Sequence, residues 1–354
     1  MSLQKPFKKI KVVELAGVLA GPSAGAFLAE LGAEVIKIEN KTTNGDVTRS
    51  WKLPSENSNA SDSAYFWSVN KGKKSIFLNL SQKSDYEKCL SKITNADILI
   101  SNFKKGDDKK FGLDYTTVKQ KNPKLIYASV NGFGEENQRA AYDLVLQAES
   151  GFMNMNGAAD GPPCKLPVAL IDVIAGHQLK EAILIALLHR SKTGKGCQLS
   201  VSLFDAAISA LVNQGSNWLN AKIDAKRSGS LHPNIAPYGE LFTTKDNKSI
   251  TFAIGNDKQF KQLCSILNIE SITKIDLFSS NQQRVKNRKK LKSVLQKEIK
   301  KFSLQKLYTS SLKKDVPIAR IRKISEALAS KESKRMIVKG KKTTLRHFAG
   351  KFKS

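Results

Sequence analysis

A doubly wound α/β domain joined to a smaller α+β domain is the architecture that this 354-residue sequence predicts. Three observations carry that prediction. Short β-branched runs alternate with helix-period segments from Lys11 to Ser202, the pattern of a mostly parallel sheet with crossover helices. A glycine-bearing turn separates the first strand from the first helix. After Asn220 the composition shifts to a lysine-rich block, and the chain is longer than one hydrophobic core usually serves.

In order, Lys11 to Leu15 reads as a strand, Gly17 to Gly21 as a turn, Pro22 to Leu31 as a small-residue helix and Glu34 to Glu39 as a second strand. Glu39 closes that strand as an acidic residue does in dinucleotide-binding folds, but the glycines fall at 17, 21 and 25 and not as G-x-G-x-x-G. Pro22 also leaves one backbone donor fewer for a pyrophosphate. Asn44 to Trp51 then reads as a turn and Ser55 to Ser63 as a polar surface loop. Lys74 to Leu80, Asp97 to Ser101 and Lys124 to Ser129 are further strands, with a helix over Tyr86 to Ile93. Asn102 and Phe103 follow the middle one directly, at the carboxyl edge where open α/β sheets bind ligands. Past the loop Gly132 to Ala140, a helix runs from Tyr142 to Phe152, and Asn156 to Pro163 is a Gly/Pro loop. Val173 to Leu188 has helical spacing, with cations near its end and Gly194 as its stop. Cys197 to Ser202 is a strand and Leu203 to Leu219 a helix. These elements place a large domain over residues 1–220, rejoined by 316–354, a basic linker over 221–230 and a small domain over 231–315.

The stretch Pro167 to Gly176 carries the sharpest chemical signal. A lone carboxylate, Asp172, stands between an apolar extended run and a long helix, a junction that places reactive groups at the rim of an α/β sheet. Aspartate is also a preferred helix N-cap, so the residues alone leave Asp172 as either a cap or a reactive group.

Composition bounds the rest. No apolar run approaches the roughly 18 residues that cross a bilayer, and the polar, basic start of the chain has no signal-peptide core. A cytoplasmic protein without a membrane partner is expected. Cys89, Cys164, Cys197 and Cys264 show no C-x-x-C spacing, so neither a disulfide framework nor a metal site is indicated. The formal charge of +28 comes from lysines spread over the whole chain, neither gathered on one helix nor interleaved with aromatics. That distribution points away from nucleic acid and leaves room for a small, phosphate-rich ligand.

A series of phrases then recurs in a telling order: Leu19-Ala20-Gly21-Pro22, the run Leu31 to Glu39, Gly45-Asp46 with Arg49, and Asn102-Phe103. Phe111 to Tyr115, Asn122 to Tyr127, Gly132-Phe133-Gly134, Tyr142-Asp143, Thr193 to Gly196 and His232 to Gly239 complete it. In order and spacing the set resembles the class III CoA-transferases, the group of formyl-CoA and carnitine CoA-transferases, with α-methylacyl-CoA racemase as a sister branch.

The resemblance implies a Rossmann-like doubly wound large domain, a smaller α+β domain and an interlocked homodimer, each chain threaded through the other. It implies an acyl-CoA:carboxylate CoA-transferase with coenzyme A as co-substrate, no metal, and Asp172 as nucleophile, passing through an acyl anhydride and then an aspartyl-CoA thioester. An aspartate with an ordinary pKa of about 4 is ionised at neutral pH and needs no general base. By the same resemblance the turn around Leu19 and Ala20 binds CoA together with Lys41, Asn102 and Lys110 reach its pantetheine and phosphates, Tyr142 and Asp143 support the nucleophile, and Gly229, His232 and Tyr238 belong to the substrate site and its lid.

Two other functions remain open from the sequence. A racemase or epimerase of the sister branch carries a His before the aspartate of the Tyr142-Asp143 pair; here that position is Tyr142, with His177 as a substitute. A non-catalytic CoA-binding relative would keep the fold without the chemistry. The chain departs from the family pattern at Lys105, where a proline is usual, in the loop Glu135 to Ala140, and in the glycine-poor segment Arg227 to Pro233.

Overall fold

Six parallel strands form the sheet around which the larger part of the computed structural model is built: β1 (Lys11–Leu15), β2 (Glu34–Asn40), β3 (Lys74–Leu78), β4 (Ile98–Ser101), β5 (Ile126–Asn131) and β6 (Cys197–Ser202), in the order β3-β2-β1-β4-β5-β6. Residues 5–351 are described; the first four residues of the basic N-terminal segment and the last three of the tail lie outside the described residues. Ile98, Leu99 and Ile100 on β4 are fully buried, as expected for a parallel strand covered on both faces.

The helices of this part are α1 (Ala20–Glu30), α2 (Ala64–Asn70), α3 (Lys83–Thr94), α4 (Asp107–Lys110), α5 (Tyr115–Lys121), α6 (Asp143–Glu149), α7 (Phe152–Met155), α8 (Leu170–Thr193), α9 (Leu203–Ser209) and α10 (Val212–Ala221). One core joins α1, α8 and α9 to the sheet through Ala24, Phe27, Leu28, Ile171, Ala175, Leu179 and Ala206; a second, on the other face, gathers Cys89, Ile93, Leu99, Val118 and Tyr127. Gly176 lets α8 lie against α1, because a Cβ there would strike Ser23 Oγ.

The βα alternation expected from the sequence is present, with three local differences. Helix α2 replaces an unassigned stretch after the polar loop; Ser63 caps it by accepting from the Phe66 N–H at 2.9 Å. The helix expected over Leu203 to Leu219 breaks after Ser209, and Val212 takes φ +42°. The extended run expected before Asp172 is short, and α8 starts at Leu170, so Asp172 lies inside the first helical turn.

Charge is buried against the interior strands β1 and β2. Glu14 on β1 is paired with Lys37 of β2 at 3.1 Å and with Lys73 at 2.8 Å, and Lys37 reaches Asp46 at 3.0 Å. Burial pulls the Lys73 ammonium down to about 8, only partly offset by Glu14. Lys73 also donates to the carbonyl of Pro22 and to Asn70. Beside this group Arg49 grips Glu39 with two nitrogens, at 2.6 and 2.7 Å, pairs with Asp62, and lies 3.7 Å over the Phe66 ring.

The chain divides into two units: Met1–Met153, Lys165–Ala225 and Lys334–Ser354 in the first, Asn154–Cys164 and Lys226–Ser333 in the second. The second is an antiparallel sheet of β7 (Tyr238–Thr243), β8 (Ser249–Ala253) and β9 (Ile318–Arg320), with α11 (Asp257–Ile266), α12 (Asn281–Lys286), α13 (Arg288–Ile299), α14 (Leu304–Lys313) and α15 (Ile324–Leu328). Phe242, Phe252, Phe260, Leu263, Leu295 and Leu307 fill its core. Residues 316–333, expected with the large domain, fall in this unit because β9 completes its sheet beside β8. The tail adds a two-stranded ribbon, β10 (Ile337–Val338) with β11 (Thr344–Leu345), to the first unit. No helix among the described residues is long and apolar enough to cross a membrane.

Gly25 tests the buried ions. In an ordinary helix interior Gly→Ala stabilises by about 1 kcal/mol, but a Cβ on Gly25 would strike Glu14 Oε2 and approach Lys73. Gly25→Ala is therefore expected to destabilise by about 3 kcal/mol or more, read as a lowered urea midpoint at unchanged slope. A raised midpoint would mean that the ion group yields without cost.

Candidate active site

The strand order reverses between β1 and β4, the switch point at which an open sheet leaves a crevice. Two segments leave the sheet there: Gly17–Ala20 after β1 and Asn102 after β4. The Asn102 side chain is already engaged, accepting from the Gly17 N–H and donating to the Gly17 carbonyl, both at 3.0 Å. It extends the ladder by one rung and fixes the turn that leads into α1. A cleft of about 680 Å³ opens over this point, and its walls include Gly17, Val18, Leu19, Ala20, Asn102, Tyr142 and Asp172.

Asp172 reaches the cleft because another residue caps its helix. Ala169, at the N-cap of α8, makes no side-chain cap. Asp143, the first residue of α6, supplies the missing acceptor from 28 residues away in sequence: Oδ1 takes the Ile171 N–H at 2.8 Å and approaches that of Asp172 at 3.4 Å. The Asp143 carboxylate is held by the buried Gln147, which donates at 2.6 Å and accepts from the Leu166 N–H at 2.8 Å. The capping role left open for Asp172 thus belongs to Asp143. Among the described residues no side chain or backbone group donates to the Asp172 carboxylate, although only 7% of Asp172 is exposed.

Electrostatics follow from that placement. Burial first, and the neighbouring Asp143 charge second, push the Asp172 carboxyl up to about 7. This corrects the expectation of an ordinary carboxylate, since sequence shows neither the burial nor the second carboxylate. Near neutral pH a small change in surroundings decides whether Asp172 is charged.

Tyr65, on α2, was not foreseen. Burial and then the charges of Asp172, Asp143 and Asp46 raise its hydroxyl to about 12, so it stays a proton donor. The Trp51 ring meets it edge-on at 5.1 Å. The available signal was the run Tyr65-Phe66-Trp67 two residues after a capping serine, aromatic in an otherwise polar stretch.

The remaining expected residues are distributed as follows. Tyr142 is exposed at the N-cap of α6 and lines the cleft, as do Leu19, Ala20 and Asn102. Lys41 is exposed in the short 3₁₀ turn Lys41–Thr43, and Lys110 ends α4 with its ammonium 6.0 Å from the Phe111 ring; neither lines the cleft. Its cations are Lys104, Lys105, Lys109 and Arg139, and Lys105 is paired with Glu136 at 2.7 Å. His177 is exposed on α8 and does not line it. In the second unit, Gly229 takes φ +61° and its N–H donates to the Gly157 carbonyl, while the His232 and Tyr238 rings meet at a tilt with centroids 5.0 Å apart. Arg288 pins that loop by donating to the carbonyls of His232 and Ile235.

Comparison with known proteins gives a consistent picture. The sequence model of CoA-transferase family III matches residues 7–350. Succinate–glutarate CoA-transferase of Agrobacterium fabrum is 38% identical over 330 residues, 92% of this chain and 82% of that protein. Acetyl-CoA:oxalate CoA-transferase of Acetobacter aceti is 34% identical over 340 residues, 94% of this chain and 86% of that one. Among solved structures, a CAIB/BAIF family protein from Brucella suis superposes with a TM-score of 0.88 at 36% identity, covering 99% of this chain and 93% of that one.

The raised Asp172 carboxyl has a stability consequence with a definite sign. Its folded value of about 7 stands above the ordinary 3.8, so the folded chain holds the proton longer than the unfolded one. Stability from the protonated form is complete below about pH 4 and is lost as pH rises to about 7. Asp172→Asn should therefore melt a few degrees higher than the native chain at pH 8 and match it near pH 4, on a scale of about 1.4 kcal/mol for each pH unit between the two values. Equal melting temperatures at pH 8 would refute the buried, unpaired carboxylate.

Proposed function

The chain belongs to CoA-transferase family III, and from that premise we propose that it moves coenzyme A between carboxylic acids through covalent intermediates on Asp172. The observation that carries the proposal is a buried carboxylate without a hydrogen-bond donor, standing in a cleft at the switch point of the sheet. A carboxylate already held by backbone donors would be a poor nucleophile. This one is largely buried and receives no protein donor, and forming a neutral ester-like bond relieves both its burial and its repulsion from Asp143.

In the proposed sequence Asp172 attacks the thioester carbonyl of the acyl-CoA, the C–S bond breaks, and CoA leaves as thiolate from a mixed anhydride. The thiolate attacks the Asp172 carbonyl of that anhydride, expelling the donor carboxylate and leaving an aspartyl-CoA thioester. The acceptor carboxylate repeats the two steps in reverse order, and Asp172 is regenerated. Each addition develops an oxyanion. No protein group among the described residues accepts from the N–H of Leu19 or Ala20, at the start of α1, so both can donate to it. The rim cations Lys104, Lys105, Lys109 and Arg139 suit the phosphates of CoA.

Both compared transferases carry dicarboxylates in their names, and we extend that class to this chain: a short dicarboxylyl-CoA as donor and a dicarboxylate as acceptor, in a cytoplasmic enzyme. The interlocked homodimer is part of the proposal. Ile185 and Leu188 of α8 and Val212 and Leu219 of α10, each more than half exposed, are apolar surface that a second copy would cover.

The test is mass spectrometry of the chain after incubation with succinyl-CoA, with hydroxylamine trapping. An adduct mapping to Asp172 and missing from Asp172→Ala is the expected result; turnover without any adduct would sink the covalent route. Because the nucleophile must be ionised, kcat/KM should rise tenfold per pH unit below about 7 and level off above it. A flat profile from pH 5 to 8 would assign the chemistry to another group.

A further inference from the structure

We propose that Asp46 is a positioning residue of the CoA-transfer site: its buried carboxylate holds Val18 in a left-handed backbone conformation and thereby sets the Leu19 and Ala20 N–H groups beside Asp172. The inference rests on the reading of those N–H groups given above. Val18 stands at φ +68°, a region that β-branched residues seldom enter and that costs energy unless the surroundings enforce it. What enforces it is on both sides of the turn. Asn102 clamps Gly17 through two hydrogen bonds, and the Val18 N–H donates to Asp46 Oδ2 at 3.2 Å and approaches Oδ1 at 3.4 Å.

Asp46 is itself fixed. Its Oδ1 accepts from the Thr48 N–H at 3.0 Å and the Thr48 hydroxyl at 2.8 Å, and its Oδ2 pairs with Lys37 at 3.0 Å. Its own N–H donates to Glu39 Oε2 at 2.9 Å. Burial opposes its charge, but Lys37 and the Thr48 donors outweigh that and hold the carboxyl below its ordinary value. Lys37 in turn donates to the Ala16 carbonyl at 2.6 Å, the residue before the clamped Gly17. The ions under β1 and β2 therefore connect to the turn at Ala16 and at Val18. Without Asp46, Val18 relaxes toward negative φ, and the peptide planes that carry the Leu19 and Ala20 N–H groups rotate with it.

The experiment is a double-mutant cycle read in kcat and KM for CoA transfer from succinyl-CoA to glutarate. Asp46→Asn turns an amide NH₂ toward Val18 or Lys37 and can fail to fold, so Asp46→Glu, which keeps the charge but moves the oxygens, is made beside it. Each is combined with Val18→Gly, since glycine adopts φ +68° without help. Asp46→Glu should lower kcat roughly thirty-fold with KM for succinyl-CoA changed less than about three-fold, as when an interaction made only in the transition state is removed. Val18→Gly alone should lower kcat less, and the double variant should return to the level of Val18→Gly. If the two losses multiply in variants whose melting temperatures match, Asp46 does not act through Val18 and the proposal falls. The trapping experiment on the unmodified chain separates this from the covalent route: an adduct on Asp172 with multiplying losses refutes the Asp46 coupling alone. Recovery in the double variant without any adduct refutes the covalent route and keeps the coupling.

Discussion

The contact between the Asp143 carboxylate and the free N–H groups at the start of α8 is the constraint on which the rest of the site depends. A long helix that begins in the protein interior needs an acceptor for its first donors. Were that acceptor the residue at the helix start, the local carboxylate would be consumed. Here it comes from α6, locked by Gln147, and Asp172 is left with its charge unsatisfied in the first turn. The same contact sets two carboxylates close together, which adds repulsion to burial and brings Asp172 to the edge of ionisation at neutral pH. Capping and activation are one arrangement seen from two residues.

Close packing supplies the position. Gly176 lies one turn beyond Asp172 and lets α8 settle against the first turn of α1, where Ser23 and the Ala20 carbonyl would meet any Cβ. Gly25, further along α1, admits the Glu14 carboxylate in the same way. Small residues on α1 thus serve two neighbours, a helix that carries the proposed nucleophile and a strand that carries buried charge. The ions do not add much net stability for their desolvation, since isolated buried pairs often break even with apolar replacements. Their geometric effect is clearer: Lys37 and Asp46 tie the ends of β1 and β2 to the turn that lines the cleft.

Charge elsewhere divides along the same line. Buried Glu14, Lys37, Asp46 and Glu39 are each matched by a partner of opposite sign. The excess behind the +28 is carried by lysines in both units, among them Lys104 and Lys109 in the first and Lys289, Lys290 and Lys300 in the second. Such a surface raises the local concentration of anionic substrates without fixing their identity.

The sequence by itself determined the βα alternation, the position of the glycine turn and the family, because apolar periodicity and short motifs are local properties. Asp172, Asn102, Leu19 and Ala20 were legible in that way, since each lies in a motif beside a predicted element boundary. The resemblance points to Lys41 and Lys110 for CoA, whereas the cleft gathers Lys104, Lys105, Lys109 and Arg139; which way a lysine near a helix end faces depends on packing around it. Only the tertiary structure decided that Asp143 caps α8, that Tyr65 stands near Asp172, that β9 joins the second sheet, and that Val18 is held at positive φ by Asp46. These are interactions between residues 28 or more apart in the chain, and a one-dimensional pattern holds no record of them. The shift of Asp172 from an ordinary carboxylate to one titrating near neutrality belongs with them, because burial and a like charge exist only once the chain has folded.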